Sequence, residues 1–277
     1  MPRLDSYPAS IHNPFAPPSR SIRVCKLWYN NLVYFENILH ELDELRKENE
    51  TVFHSRGKID KTPAGHQLRW CLQNIKSATF TEIPVSDHVT HLYLLELNKL
   101  QDLKGIERFG ELRSLWLYGC DALKTIDGIQ ELDFLETLTI WPSFSSTITL
   151  DTIEPVSGST SLKAFIFSGK SRDGGLEPFF KLEKLERAFL SNSFNWEEFA
   201  RLEANQPNIN FPWKGGIVYD ANPSVLRCST CQTNLAMLTG KGLKPCCPVC
   251  DRNRIAKHLA RYSEAAKLSK RSPTFGG

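Results

Sequence analysis

The chain holds 277 residues, 41% hydrophobic and 23% charged, with a formal net charge of +3, proportions ordinary for a soluble protein of about two domains able to bury its cores. No apolar run approaches the roughly 18 residues that a membrane helix needs, and the opening MPRLDSYPASIHNPFAPPSR has no apolar signal-peptide core. The expected setting is therefore the reducing cytoplasm, where the eight cysteines point to metal ligands or buried thiols rather than disulfides. Charge is unevenly spread. From Lys214 onward 11 Lys and Arg stand against 3 Asp and Glu, a basic tail on a mildly acidic body.

Residues 1–20 contain five of the 16 prolines and read as a flexible arm. Residues 21–83 make an N-terminal block. Within it, 21–37 is rich in strand formers and fits a hairpin about Asn30-Asn31. Leu39, Leu42 and Leu45 fit a helix to about Glu48. A second helix is expected from Thr62-Pro63, with Pro63 in its first turn, burying Leu68, Cys71, Leu72 and Ile75. The block either caps the open end of the repeats C-terminal to it, as an α+β cap, or is a module of its own.

Residues 84–213 carry an internal repeat. Val89, Leu112 and Leu135 recur at 23-residue steps, and the apolar positions between them coincide: Leu92 with Leu115, Leu94 with Leu117, Leu97 with Cys120, Leu100 with Leu123, Leu103 with Ile126, Ile106 with Ile129. Gly105 and Gly128 coincide too. Each L-x-L segment alternates at period 2, so one side of a strand faces a core. One unit cannot bury its leucines alone, so units must stack. Further units occur at Leu162–Phe167 and Leu185–Leu190, with insertions on the connecting side and a helical return at Trp196, Phe199 and Leu202. A short strand at Asn208–Phe211 closes the stack.

The period and the L-x-x-L-x-L-x-x-(N/C)-x-L pattern resemble the leucine-rich repeat family over about residues 84–211. The resemblance implies an α/β solenoid with parallel strands on its concave face. Cys120 takes the place of the family's Asn or Cys and reads as a buried small hydrophobe.

Residues 214–225, after Pro212-Trp213, read as a linker. Beyond it, Cys228-Ser-Thr-Cys231 and Cys247-Pro-Val-Cys250 are two C-x-x-C pairs with the spacing of a four-cysteine zinc site. A hairpin, Leu235–Leu238 with its turn at Gly240-Lys241-Gly242, would bring the pairs together. Four thiolates fill a tetrahedral ion, so the zinc is expected to be structural. Cys246 adjoins Cys247 and could be the third ligand in its place, although the Cys-Pro-x-Cys form favours Cys247. Residues 226–268 resemble small zinc ribbon or treble-clef modules. A helix should come next, with Ile255, Leu259, Tyr262 and Ala266 on one face and Arg254, Lys257 and Arg261 opposite, a candidate phosphate contact.

In the leucine-rich repeat family the residues between the strand leucines face the concave side. Here they would form three columns, of which the middle holds Tyr93, Trp116 and Phe189 and the outer one Tyr118 and Trp141. An open aromatic patch of this kind anchors protein partners. The sequence has no phosphate loop, no Gly-x-Ser-x-Gly and no His-Glu-x-x-His, so neither an enzyme nor a small-molecule substrate is expected. The first reading is a protein-binding scaffold or adaptor. A nucleic-acid-associated protein acting through the zinc module and basic tail, and a neutralising partner of a toxin or enzyme, are the alternatives.

Overall fold

The computed structural model describes residues 52–57, 68–143, 146–219 and 227–271. The arm, the hairpin about Asn30-Asn31 and the helix to Glu48 lie outside these residues. As far as Leu190 the strands among them are β1 (Val52–Arg56), β2 (Arg69–Gln73), β3 (His91–Leu95), β4 (Ser114–Tyr118), β5 (Thr137–Trp141), β6 (Ile148–Leu150), β7 (Ala164–Phe167), β8 (Gly169–Ser171) and β9 (Arg187–Leu190). One parallel sheet runs in the order β1-β2-β3-β4-β5-β7-β9. Its register is regular: Leu92 pairs with Leu115 and Leu115 with Leu138, while Tyr93 pairs with Trp116 and Trp116 with Thr139. The repeat offset of 23 residues thus appears as lateral strand pairing, and the architecture is leucine-rich-repeat-like.

Strands β2 to β5, β7 and β9 send alternate side chains into a core shared by their units. Leu92, Leu94, Leu115, Leu117, Leu138, Ile140, Phe165 and Phe167 are fully buried there. The chain returns on the far side through single 3-10 turns, at Phe80–Glu82, Ile106–Arg108, Ile129–Glu131, Glu154–Gly158 and Glu177–Lys181. Two of these turns are entered by the coincident glycines, Gly105 (φ 101°) and Gly128 (φ 102°). A Cβ at Gly128 would lie 2.9 Å from Ile106 Cγ2 of the preceding unit, so conformation and stacking both require glycine. Backbone bonds join the units outside the strands as well: Arg113 N donates to Thr90 O, Glu136 N to Arg113 O and Lys163 N to Glu136 O, all at 2.8 Å. Cys120 is fully buried with its Sγ 3.7 Å from Leu94 O, and burial pushes its thiol up to about 12. It is inert, as the sequence suggests.

The helix expected to bury Leu68, Cys71, Leu72 and Ile75 does not run through these residues, and its expected start at Thr62-Pro63 lies outside the described ones. Arg69–Gln73 is a strand of the main sheet, and Leu68 is 50% exposed. Trp70 and Leu72 take the leucine places of an earlier unit, with Trp70 edge-on to Phe109 at 5.8 Å, and Cys71 faces the concave side beside Tyr93. Leu68, Cys71, Leu72 and Ile75 fit a helical period whereas Trp70 and Leu72 fit a period of 2, and tertiary pairing decides between them. The left-handed residues just after β2, β3 and β4, namely Asn74 (φ 54°), Glu96 (φ 59°) and Gly119 (φ 66°), mark the same repeat position three times.

The longer units carry a second, two-stranded parallel sheet of β6 and β8. The stack ends in helix α1 (Trp196–Asn205), whose Phe199, Ala200 and Leu202 close the core, and in a single parallel bridge from Arg187 to Asn210 where the last strand was expected. The stretch read as a linker begins in ordered structure. Ile217–Val218 (β10) pairs antiparallel with Met237–Leu238 (β11). Helix α2 (Arg252–Arg271) then packs back on α1.

Candidate functional site

The three concave columns are aligned by the strand register: His91, Ser114, Thr137, Ala164 and Arg187 in the first, Tyr93, Trp116, Thr139, Ile166 and Phe189 in the second, and Leu95, Tyr118 and Trp141 in the third. The rings do not form one open patch. Tyr93 and Trp116 pair at 5.6 Å, clustering with Cys71, Leu95 and Tyr118, whereas Trp141 reaches Phe189 at 5.9 Å. Tyr93 is 1% exposed, Trp141 4% and Trp116 9%, and Tyr118 and Phe189 are half-buried. Period-2 alternation assigns these residues to a face; it does not fix how much of that face is open.

The open part lies toward the strand starts. A cleft of about 660 Å³ is floored by Trp116, Ala164, Ile166 and Phe189, closed at the end of the stack by Phe211 and Pro212, and rimmed by His91, Arg113, Glu136 and Arg187. Arg113 (3.2 Å) and Lys163 (3.0 Å) share the Glu136 carboxylate, and the Lys163 hydrogen bond leads in holding that carboxyl below its usual range. Burial, then Arg69 and Arg113, push the His91 imidazole below its ordinary value. Trp116 Nε1 donates to Ser114 Oγ at 2.9 Å. Buried Thr139 Oγ1 has no hydrogen-bond partner among the described residues. Arg113 and Glu136 are not among the residues that the sequence singles out. They sit one residue before each strand, outside its period-2 alternation, and their recurrence at the repeat interval is the signal that could have found them.

The second site is formed by Cys228, Cys231, Cys247 and Cys250, whose sulfurs all lie within 4.8 Å of one another. Three of the separations are 3.3, 3.6 and 3.8 Å. A tetrahedral ion with sulfur bonds of about 2.3 Å would set its ligands about 3.8 Å apart, so the donor set fits such an ion. The cysteines are free thiols. Hydrogen bonds from Thr233, first its hydroxyl and then its backbone amide, lower Cys231 to about 6, while bonding among the neighbouring sulfurs, first to Cys231, raises Cys250 to about 12. Four such sulfurs cannot all ionise side by side without a cation between them. Cys246 turns the other way, its Sγ 3.7 Å from Ala236 O in a small core with Leu238 and Ile255. The two pairs are brought together by the antiparallel bridge of Ala236 with Cys246, near the expected hairpin. Asp251 escapes the motif: its carboxylate accepts the Cys247 amide at 2.7 Å and fixes the second knuckle at the start of α2.

The knuckles and α2 are bound to the solenoid. Asn192 accepts from Gly240 N at 2.6 Å and donates to Leu238 O at 2.9 Å. Tyr262 Oη donates to Glu203 at 2.9 Å, and His258 Nε2 lies 3.0 Å from Gly216 O. Tyr262 belongs to the main core. Arg254, Lys257 and Arg261 are exposed on the opposite side of α2.

No protein-family model and no curated protein matches the chain. Among solved structures it is similar to a leucine-rich repeat protein of Leptospira interrogans (16% identity, TM-score 0.42, covering 58% of this chain and 47% of that one). It is also similar to internalin F of Listeria monocytogenes (17%, 0.37, 53% and 47%) and to internalin C2 of the same organism (18%, 0.29, 45% and 61%). The chain spans less than two thirds of the length of each. Its fold is defined by its own strand register and shared core.

Proposed function

We propose that the chain is a cytoplasmic, non-catalytic scaffold that binds another protein on its concave face and holds a structural zinc ion at its C-terminal end. The observation that carries this reading is the cleft: an apolar floor of Trp116, Ile166 and Phe189 under a rim of charged side chains, on a parallel ladder. Apolar anchors within a polar rim are the usual anatomy of protein interfaces. Polar groups around it engage one another, Ser114 with Trp116 and Glu136 with Arg113 and Lys163. Cys228, Cys231, Cys247 and Cys250 would hold the zinc. Four thiolates leave it no open position, so it would supply folding energy to the knuckles rather than chemistry.

A photo-crosslinking side chain placed at Phe189 in the cleft, and in a second variant at exposed Glu131 on the far side, tests the scaffold reading in cells. The expected result is one discrete crosslinked protein from position 189 only, lost when Arg113→Glu is added. Equal capture from both positions, or capture from 189 that ignores Arg113→Glu, overturns it.

A further inference from the structure

We infer that the exposed side of α2 is a binding surface for the phosphate backbone of nucleic acid, used without regard to base sequence and separate from the concave cleft. The first ground is an imbalance of charge. Arg252, Arg254, Lys257, Arg261, Lys267 and Lys270 are all on this helix, and Glu264 is the one acidic residue within it. None of the six forms an ion pair among the described residues. On the solenoid the opposite holds: Arg113 and Lys163 flank Glu136, Arg172 meets Asp151 at 3.1 Å, and Arg201 meets Glu177 and Glu198. Helical surfaces that serve solubility alone mix signs at i, i+3 and i+4 spacing.

The second ground is position. Arg252 and Arg254 stand in the first turn, which holds no acidic residue, although cations oppose the helix dipole there. Four thiolates around a divalent ion would carry a net charge of about −2, and two adjacent arginines would offset that. Arg261, Lys267 and Lys270 cannot be explained so. At about 1.5 Å per residue they stand about 13 to 27 Å from the helix start, beyond a Debye length of about 8 Å. A rod of cations of that length can track a phosphate backbone, in which duplex DNA presents a charge about every 1.7 Å.

The third ground is rigidity. The opposite side of α2 is fixed by Ile255 in the knuckle core, by His258 on Gly216 and by Tyr262 on Glu203, so the helix presents one constant face. An anionic membrane would draw on the same charges. It would also need apolar side chains between the cations to enter the acyl boundary, and the large exposed apolar residue of this helix is Leu268 alone. The observations therefore favour nucleic acid.

The test uses the full chain with three probes: two 20-base-pair DNA duplexes of unrelated sequence, and vesicles containing phosphatidylserine. Both duplexes should bind with equal affinity, weakening steeply as salt rises from about 50 to 200 mM. Lys257→Glu with Arg261→Glu should weaken binding at least tenfold and reduce the slope of log K against log salt by about 2, since each lost phosphate contact removes about 1. Lys267→Glu with Lys270→Glu should act alike, so that the result does not rest on one pair. Lys170→Glu with Arg172→Glu, the same charge change on the solenoid, should leave affinity within about twofold. Circular dichroism confirms that each variant is folded. Absence of duplex binding at about 50 mM salt, equal loss from the solenoid pair, or vesicle binding as tight as duplex binding would each overturn the assignment.

Discussion

In the repeats between Val89 and Trp141 every leucine position is filled and buried, and each unit hands its core to the next. In the knuckle segment and the first turn of α2 the apolar interior is four residues, Ala236, Leu238, Cys246 and Ile255, and strand pairing amounts to β10–β11 and two isolated bridges. Ordering each residue costs about 1–2 kcal/mol of backbone entropy. Stacked apolar units offset that cost; so small a cluster does not. The contrast teaches why one region can be built from leucine alone while the other gathers four sulfurs within 4.8 Å. It also shows that the two are not independent: Asn192, Tyr262 and His258 fasten the weaker region onto the end of the stronger.

The largest effect should come from breaking the four-cysteine cluster. We expect one zinc per chain, and Cys231→Ser or a strong chelator should abolish ordered structure in the knuckles. Hydrogen exchange should show amides such as Cys228 and Ala236 becoming fully labile while those of β3 to β5 stay protected. Some loosening should reach Gly240 and Trp213, because Thr239 bonds to Gly216 and Trp213. Protein purified without chelator that contains no zinc, or knuckles that stay protected in Cys231→Ser, would defeat this account.

Trp116→Ala tests whether the concave face is a second core or an open one. Trp116 is 9% exposed, against Tyr93 and with its indole bonded to Ser114. Removing such a ring should cost about 3 kcal/mol, comparable to Leu117→Ala on the other side of the same strand. A cost within about 0.5 kcal/mol, as for a surface site, would instead show that Trp116 adds nothing to a core around Tyr93. Either result leaves the zinc content unchanged.

These two tests fall where the sequence is clearest and where it is least clear. The repeat from Val89 to Trp141 is legible because each core position on both strand and turn is apolar in each unit. The four-cysteine cluster is legible because C-x-x-C spacing is itself the geometry of a knuckle. Arg69–Gln73 misleads because Leu68, Cys71, Leu72 and Ile75 sit at helical spacing, and Trp70 replaces the signature leucine. Whether Cys246 or Cys247 joins the cluster is a matter of which way adjacent side chains turn, settled here by the Ala236–Cys246 bridge. The tie of Tyr262 to Glu203 spans 59 residues and has no local signature at all.

Tyr262→Phe measures that tie. The ring and its packing remain, and only the hydroxyl's bond to Glu203 and its longer contact with Trp213 O at 3.5 Å are lost, so stability should fall by about 1 kcal/mol. The loss should appear as faster exchange in α2 and around Trp213, with β3 to β5 untouched. A fall shared evenly by the whole solenoid would mean that the end module and the repeats unfold as one unit.

The smallest effect should be a pH dependence that divides between the two regions. His258 is buried against Trp196 (5.9 Å) and Tyr262 (6.4 Å), and its neutral ring donates from Nε2 to Gly216 O. Burial lowers its pKa; the Gly216 bond opposes this, Arg254 and Arg261 add to it, and Glu197 resists it. A histidine depressed in the folded state takes up its proton more readily when unfolded. Its stabilising contribution is complete above the unfolded value of about 6.5 and is lost as pH falls through that value toward the lower folded one. His91 shifts in the same direction through burial, Arg69 and Arg113, so both regions should weaken on mild acidification. Urea midpoints at about pH 7.5 and 5.5 read the slope while staying above the range where zinc thiolates protonate extensively. His258→Gln keeps an N–H donor for Gly216 and should remove the part of the slope seen in α2 by hydrogen exchange. His91→Gln should remove the part seen in β3. A wild-type protein that grows more stable as pH falls over this window would contradict the lowered pKa of both rings.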